Sequence, residues 1–570
     1  MDYKKMDCDV LVIGAGGAGM RAALAASEMG AKVIMVSKSL LGKAHTVMAE
    51  GGIAAALGNV DPDDNWQVHF ADIIEEGVYL SNWRMAEILA KEAPDRVYEL
   101  ESYGALFDRT PDGRILQRAF GGHSKRRLCH VGDKTGLEML RTLEDQILHR
   151  DVTALDEIYI TKLVKKDNAV VGAIGIEMHT GEFILFRAKA TILATGGCGR
   201  VYKVTSNSWE STGDGIGLAY NAGAILQDME MIQFHPTGMV YPPGVRGLLV
   251  TEGVRGEGGI LYNSKGERFM LRYSPEKKEL DARDVVARAN YNEIIEGRGT
   301  PHGGVYLDIS YKGAAFIKQK LPGMYQQFLD FAGVDITKEK MEVAPTVHYQ
   351  MGGVRVDPDT TATNVPGLFA AGEVACGLHG ANRLGGNSLA DILVFGKRSG
   401  EAAAKYASDK KIAEIEDSEV QEEINRVLSY LKPGGVNPYL LVDELTETMS
   451  NKVGIVRNGP DLESALQKIL ELKEEYKKVS VPGGRKYNHG LFTALELGNM
   501  LIAAEAIVRS AIMRTESRGA HTRKDYPKKD RNWLKNIILW KEGDTMKMDT
   551  VPVPEMPEEL KKLVKPEVYQ

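Results

Sequence analysis

Gly14, Gly16 and Gly19 stand in the spacing GxGxxG, which can hold the pyrophosphate of a dinucleotide against backbone N–H groups. With 61 glycines in 570 residues such a triplet arises by chance about 0.7 times, so its surroundings must carry it. The triplet follows the apolar run DVLVI, opens the helix-favouring stretch MRAALAASEMG and leads on to AKVIMVSK, the order of a βαβ unit. In that setting Gly14 permits the tight turn, Gly16 lets pyrophosphate approach, and Gly19 lets helix and strand pack closely. Two further segments, ATILATGGCGRVY and PGLFAAGEVA, end strands in Thr195-Gly196-Gly197 and Gly372-Glu373, where a parallel sheet presents cofactor contacts. The second strand of the βαβ unit ends in Ser37 and Lys38. No acidic residue is there for a nicotinamide-type ribose, so another dinucleotide, or other ribose contacts, are expected.

The elements that must hold these residues follow from periodicity. Strand signals recur at 155–165, 170–177, 191–195 and 367–371, so one α/β domain resumes after an insertion of roughly 241–351. After residue 408, EVQEEINRVLSYL, ESALQKILELKEEYKKV and LFTALELGNMLIAAEAIVRSAIMRTES place apolar residues at three- and four-residue spacing, a separate helical bundle. The basic stretch 514–535 reads first as solvated surface and second as a docking face for a partner subunit, and the tail after Met546, rich in Pro, Glu and Lys, reads as loosely held.

Composition bounds the function. The 71 basic and 78 acidic residues give net −7 without a dominant block of one sign, so nothing invites nucleic acid. No run of 18 apolar residues is present, and the opening MDYKKMDCDVLVIG lacks a signal-peptide core, so a soluble, unexported chain without a membrane span is expected. Cys8, Cys129, Cys198 and Cys376 lie too far apart for a CxxC metal pattern or a disulfide scaffold. No metal site is expected here, and any iron-sulfur centre belongs to another polypeptide.

In order with GAGGAG, the two strand ends resemble FAD-binding oxidoreductases of the two-dinucleotide-motif type. The intervening HPTG, TEGVRGEGG, RDVVAR and HGANRLGGNSL narrow the resemblance to the flavoprotein subunit of succinate dehydrogenase or fumarate reductase. It extends from about Cys8 through ESRGAHTRKDYP to Trp533. The implied fold is α/β, with a discontinuous Rossmann-like FAD-binding domain (1–240 and 352–408), an inserted α+β capping domain (241–351), a C-terminal helical domain (409–535) and a tail (536–570).

The resemblance also implies roles. FAD is expected against Gly14, Gly16, Gly19, Ser37, Lys38, Thr46, Gly51, Gly52, Thr195, Gly196, Asp214, Glu373, Ser388 and Leu389, with a covalent bond to His45 of SKSLLGKAHTVMAEGG. Such an electron-withdrawing link raises the flavin potential, as oxidation of an unactivated C–C bond requires. His235, Thr251, Glu252, His348 and Arg383 are expected to grip a four-carbon diacid against the apolar wall Phe120, since a dianion in a dry pocket must be paired. Proton exchange at the substrate carbon falls to Arg283, relayed through Glu252 and Arg255, while hydride passes to the flavin. An arginine is protonated at neutral pH, so that proton must move in concert with charge developing in a closed site.

Electrons would leave to an iron-sulfur subunit tethered to a membrane anchor, placing the chain in the cytoplasm, peripheral on the inner face of the cell membrane. Succinate oxidation and fumarate reduction share one site and differ through the potentials of flavin and acceptor, whether quinone, thiol or other. A second resemblance is to L-aspartate oxidase, whose patterns GGHSKRRLCHVGDKTG and VYLDIS approach. That relative lacks the covalent histidine and carries Glu where Phe120 stands, so a diacid without an amine is preferred. His123 stands where many succinate dehydrogenases carry Gln. A non-catalytic, flavin-carrying assembly subunit would have lost Arg283, His348 or Arg383, and all three are present.

Overall fold

The computed structural model describes residues 2–569, so Met1 and Gln570, the outer ends of the first and last spans above, lie outside the described residues. Strand Lys4–Ile13, buried from Val10 onward, lies at the centre of a seven-stranded sheet. It pairs in parallel with Val33–Val36 on one side and Phe183–Leu193 on the other. Val152–Leu155 and Leu368–Ala370 extend the parallel part. Ala169–Glu177 and Ile158–Lys166 complete it antiparallel. The parallel strands therefore release Gly14, Ser37, Ala194 and Ala371 at the same sheet end, the position where such folds bind dinucleotides.

Local sterics explain the glycine triplet. A Cβ on Gly14, whose φ is +115°, would sit 2.1 Å from the Ala194 carbonyl oxygen, and one on Gly19 would sit 1.8 Å from the Gly14 carbonyl oxygen. Turn and helix close only without side chains there. Helix Gly17–Glu28 then packs on helix Asn387–Ser408 through small residues; a Cβ on Gly400 would reach within 2.2 Å of the Ala22 carbonyl oxygen.

The insertion carries its own antiparallel sheet, in which Ile232–Met239 pairs with Met341–Gln350, followed by Val305–Asp308 and Ile260–Tyr262. Met239, Val250, Phe269, Val286, Met324 and Phe328 belong to a core distinct from that of the main sheet. This sheet begins at Ile232, ahead of residue 241. Pro236 hides the strand, because a proline reads against a paired position, and here it lies where the register shifts between His235 and Gly238.

The C-terminal helices Pro438–Lys452, Gly459–Tyr476 and His489–Met513 pack on one another as a helical domain, and their core is continuous with the α/β domain: Leu445, Met449, Ile469 and Leu501 join one apolar cluster with Leu11, Phe186 and Ile216. Among the described residues one helix, His489–Met513, is long and apolar enough to cross a membrane, and 72% of its most apolar 18-residue stretch is buried inside the molecule. The rest of the C-terminal region departs from the sequence reading in two ways. The basic stretch 514–535 is not all solvated surface, since Arg514, Arg518 and Arg523 are buried. Arg514 pairs with Glu230 at 2.5 Å and Glu516 at 3.0 Å, and Arg518 with Glu516 at 2.7 Å and Glu567 at 2.5 Å. The tail is ordered too: Lys535–Glu542 and Thr545–Pro552 form a hairpin whose first strand pairs with Leu226–Gln227. Its sequence signal was the alternation around the turn residues Gly543-Asp544.

Replacing Arg514 with Met removes the shared partner of two buried carboxylates. Equilibrium denaturant unfolding is expected to show a loss of about 3–5 kcal/mol, and a loss below about 1 kcal/mol would contradict the pairing.

Candidate functional site

A cleft runs from the glycine turn to the underside of the inserted sheet. Of the residues given cofactor, substrate or proton-transfer roles above, all line it except Gly19, which packs helix against turn, and Arg255, which stands behind Glu252.

One end is shaped for a dinucleotide. Gly16 precedes helix Gly17–Glu28, whose first turn carries no acidic residue, and a Cβ on Gly16 would meet nothing nearer than Thr46 Oγ1 at 3.4 Å. That combination leaves helix N–H groups and space for a pyrophosphate. Lys38 occupies the place of the missing acid, and its ammonium is held by Asp214 at 2.6 Å, Glu496 at 2.7 Å and Thr212 at 2.7 Å. Burial lowers the Lys38 pKa, but the Asp214 and Glu496 charges outweigh it and hold the lysine above its ordinary value. Buried polar atoms without protein partners, Thr195 Oγ1 and Glu50 Oε2, face the same cleft, and burial pushes Glu50 well above the carboxylate range. Glu373, which accepts from the Gln350 backbone N–H at 3.0 Å, is pushed by burial to about 7. These residues fit a bound FAD: backbone donors at the turn, and protonated or unpartnered groups free to hydrogen-bond along it.

His45 stands at the middle of the cleft. Its Nδ1 accepts from the Ser208 backbone N–H at 3.2 Å, and Asn207 Nδ2 lies 3.3 Å from its Nε2. Burial lowers its pKa to about 4, so the imidazole is neutral, and with Nδ1 accepting from Ser208 its one proton is on Nε2. Asn207 also donates to the His348 carbonyl at 2.8 Å, while Ser206 Oγ lies 2.8 Å from His348 Nδ1. The segment Ser206-Asn207-Ser208, not singled out from the sequence, thus orients both histidines.

The other end is crowded with cations. Arg283 opens helix Arg283–Glu293 and donates from Nε to Glu252 at 2.7 Å and from Nη1 to Gln233 Oε1 at 3.1 Å. Arg383 donates from Nη2 to the same Gln233 oxygen at 3.0 Å and lies 4.2 Å over the Tyr349 ring. Arg255 stands 3.6 Å from Glu252. Burial raises the Glu252 pKa, but Arg283 and Arg255 overcome it and keep the carboxylate below its ordinary value; burial and then Arg283 press Arg383 down to about 9. His235 and His348, from paired strands, bring their rings within 5.0 Å, edge to face, and burial holds both well below the usual histidine value. Phe120 closes one wall, its ring 5.9 Å from the Arg283 guanidinium carbon. Gln233 and Tyr349 were missed in the sequence; both stand beside motif histidines, Gln233 two residues before His235 on the same strand face, which was the available signal.

The chain matches the family described as FAD binding domain over residues 9–389 and that described as Fumarate reductase flavoprotein C-term over 442–567. It is 51% identical over 540 residues to a Fumarate reductase (CoM/CoB) chain of Methanothermobacter marburgensis, covering 95% of this chain and 98% of that one. It is 43% identical over 563 residues to the Succinate dehydrogenase flavoprotein subunit of Coxiella burnetii, covering 94% of each. Among solved structures, a quinol fumarate reductase chain of E. coli superposes with a TM-score of 0.92 at 35% identity, covering 97% of this chain and 98% of that one.

The start of helix Asn387–Ser408, which follows the loop carrying Arg383, is held by His69, whose Nε2 lies 2.9 Å from Asn387 Oδ1. Burial, then the Arg127 charge, lowers the His69 pKa to about 3. The unfolded chain takes up this proton below about pH 6.5 while the folded chain refuses it, so the stability His69 contributes is complete above that pH and falls below it. In denaturant unfolding, wild type is expected to lose ground to H69Q by up to about 1.4 kcal/mol per pH unit between about pH 6.5 and 4. A pH-independent difference would contradict a buried neutral ring.

Proposed function

The chain belongs to the flavoprotein-subunit family of succinate dehydrogenase and fumarate reductase, and on that premise we propose that it interconverts succinate and fumarate with FAD bonded to His45. The observation that carries the reading is the excess of buried positive charge: Arg255, Arg283 and Arg383 surround one carboxylate, Glu252, and Arg283 and Arg383 share a single neutral acceptor. Arg383, which lines the cleft, has no partner for its Nε among the described residues. A diacid placed between Arg383, His235, His348 and Thr251 supplies the missing acceptors and charge. Phe120 offers an apolar wall and no group to meet a substrate amine, which supports a diacid over aspartate.

Bound FAD supplies the hydride acceptor or donor for the substrate C–C bond. The protein's own work is positional and electrostatic. Arg383 and the two imidazoles fix the carboxylates, while Phe120 and the inserted domain exclude water. Arg283 holds the proton exchanged at the substrate carbon. Glu252, bonded to Arg283 Nε, balances the charge that develops as that proton moves, and Arg255 behind it carries the relay outward. The neutral His45, fixed through Nδ1 by Ser208, presents Nε2, whose proton the covalent link would replace.

Electrons then pass to an iron-sulfur subunit held at the inner face of the cell membrane by an anchor. The name of the E. coli neighbour supports a quinol as the outer couple, and the name of the Methanothermobacter relative supports CoM/CoB as a second reading.

Two experiments test these roles. On a denaturing gel, in-gel flavin fluorescence is expected to stay with wild type and vanish from His45→Ala; fluorescence in both would place the bond elsewhere. Arg283→Lys is expected to keep flavin and malonate binding but lose about 10²–10⁴-fold in turnover with succinate and an artificial acceptor, and ordinary rates would remove Arg283 from proton transfer.

A further inference from the structure

His123 does not line the cleft, yet its ring is bound at both nitrogens. Nε2 lies 2.6 Å from the Gly385 carbonyl oxygen and Nδ1 lies 3.3 Å from Nη1 of Arg127. Arg127 is wholly buried and fixed in turn, forked onto Asp64 at 2.8 and 3.2 Å and bonded to Asp72 at 2.6 Å. A guanidinium only donates, so His123 Nδ1 must accept; the ring proton is therefore on Nε2 and donates to Gly385. Burial and the Arg127 charge both oppose a second proton on the ring.

Gly385 is the point where the walls of the cation cage meet. A Cβ there would lie 2.5 Å from the Phe120 ring and 3.2 Å from Arg283 Nη2, and the residue stands two positions after Arg383. Its carbonyl therefore sets the course of the peptide that carries Arg383 toward Ser388, to which Arg383 Nη1 donates at 2.9 Å. His123 also belongs to the turn that begins at Phe120 and includes Gly121, whose N–H donates to Glu252 at 2.7 Å. One imidazole thus ties the Phe120 turn to the Arg383 loop.

We propose that His123 is a positioning residue: its Nε2–H, oriented by Arg127, anchors Gly385 and so sets the span between Arg383 and Arg283 that a diacid must bridge. This role rests on the reading of that space as a dicarboxylate site. The specific requirement is a neutral donor at the Nε2 position, which a Gln amide nitrogen reproduces and the shorter Asn does not.

The test uses the flavin-loaded protein as wild type, H123Q and H123N, with malonate titrated against the flavin absorbance and succinate turnover measured with an artificial acceptor. H123Q is expected to bind malonate within about threefold of wild type, and H123N about tenfold or more weaker, the scale of one buried hydrogen bond left unmade. The succinate KM of H123N should rise in step, with kcat changed less than KM and flavin content unchanged. H123N binding malonate as tightly as wild type, or H123Q losing as much as H123N, would overturn the role. If H123N fails to retain flavin, H123Q decides alone: affinity near wild type supports the donor, and a tenfold loss overturns it. Failure of wild type itself to bind malonate would instead sink the dicarboxylate reading, and this role with it.

Discussion

Burying a guanidinium without a carboxylate is costly, and this protein buries three around one. The structure contains the cost by sharing. Glu252 serves Arg283 and Arg255, and Gln233 offers one oxygen to both Arg283 and Arg383. The face of Tyr349 lies against Arg383. What remains is a surplus of buried positive charge, and on the diacid reading proposed above affinity and charge selectivity would both arise from that one electrostatic deficit.

That deficit exists only when two parts of the chain are together. Arg255, Arg283 and the strand bearing His235 and Gln233 belong to the insertion, whereas Arg383 rides on the loop before helix Asn387–Ser408 of the α/β domain. Moving the insertion away would expose the arginines to water, where each is readily solvated and the cage loses its selectivity. In the structure the insertion is seated, and Arg255, Arg283 and Arg383 are all buried.

The cofactor end depends on a similar long-range assembly. Lys38 emerges from the first βαβ unit, Asp214 opens the helix after the fourth parallel strand, Phe183–Leu193, and Glu496 comes from helix His489–Met513. The C-terminal helices therefore reach the wall of the dinucleotide cleft, and their merged core with the sheet gives that reach a rigid support. The apolar character of His489–Met513 reflects burial in this core.

Much of this was legible in the residues themselves. GAGGAG and the strand ends at Thr195 and Glu373 declare a dinucleotide fold because backbone sterics are local: a Cβ on Gly19 would collide with an atom five residues away. The motif resemblance supplied His45, Arg283 and Arg383 as candidates. It did not show that Arg514, Arg518 and Arg523 are internal, that the tail pairs as a hairpin, or that Gln233 and the segment Ser206-Asn207-Ser208 hold the site. A charge run reads the same whether solvated or paired, and the partners here lie far off in the chain: Glu230 is 284 residues from Arg514, and Gly385 is 262 from His123. Sequence by itself determined the short-range geometry and the types of chemical group available; the tertiary structure decided which charges are buried, which are paired and which are left for a ligand, because desolvation and Coulomb energy depend on who is adjacent in space rather than in the chain.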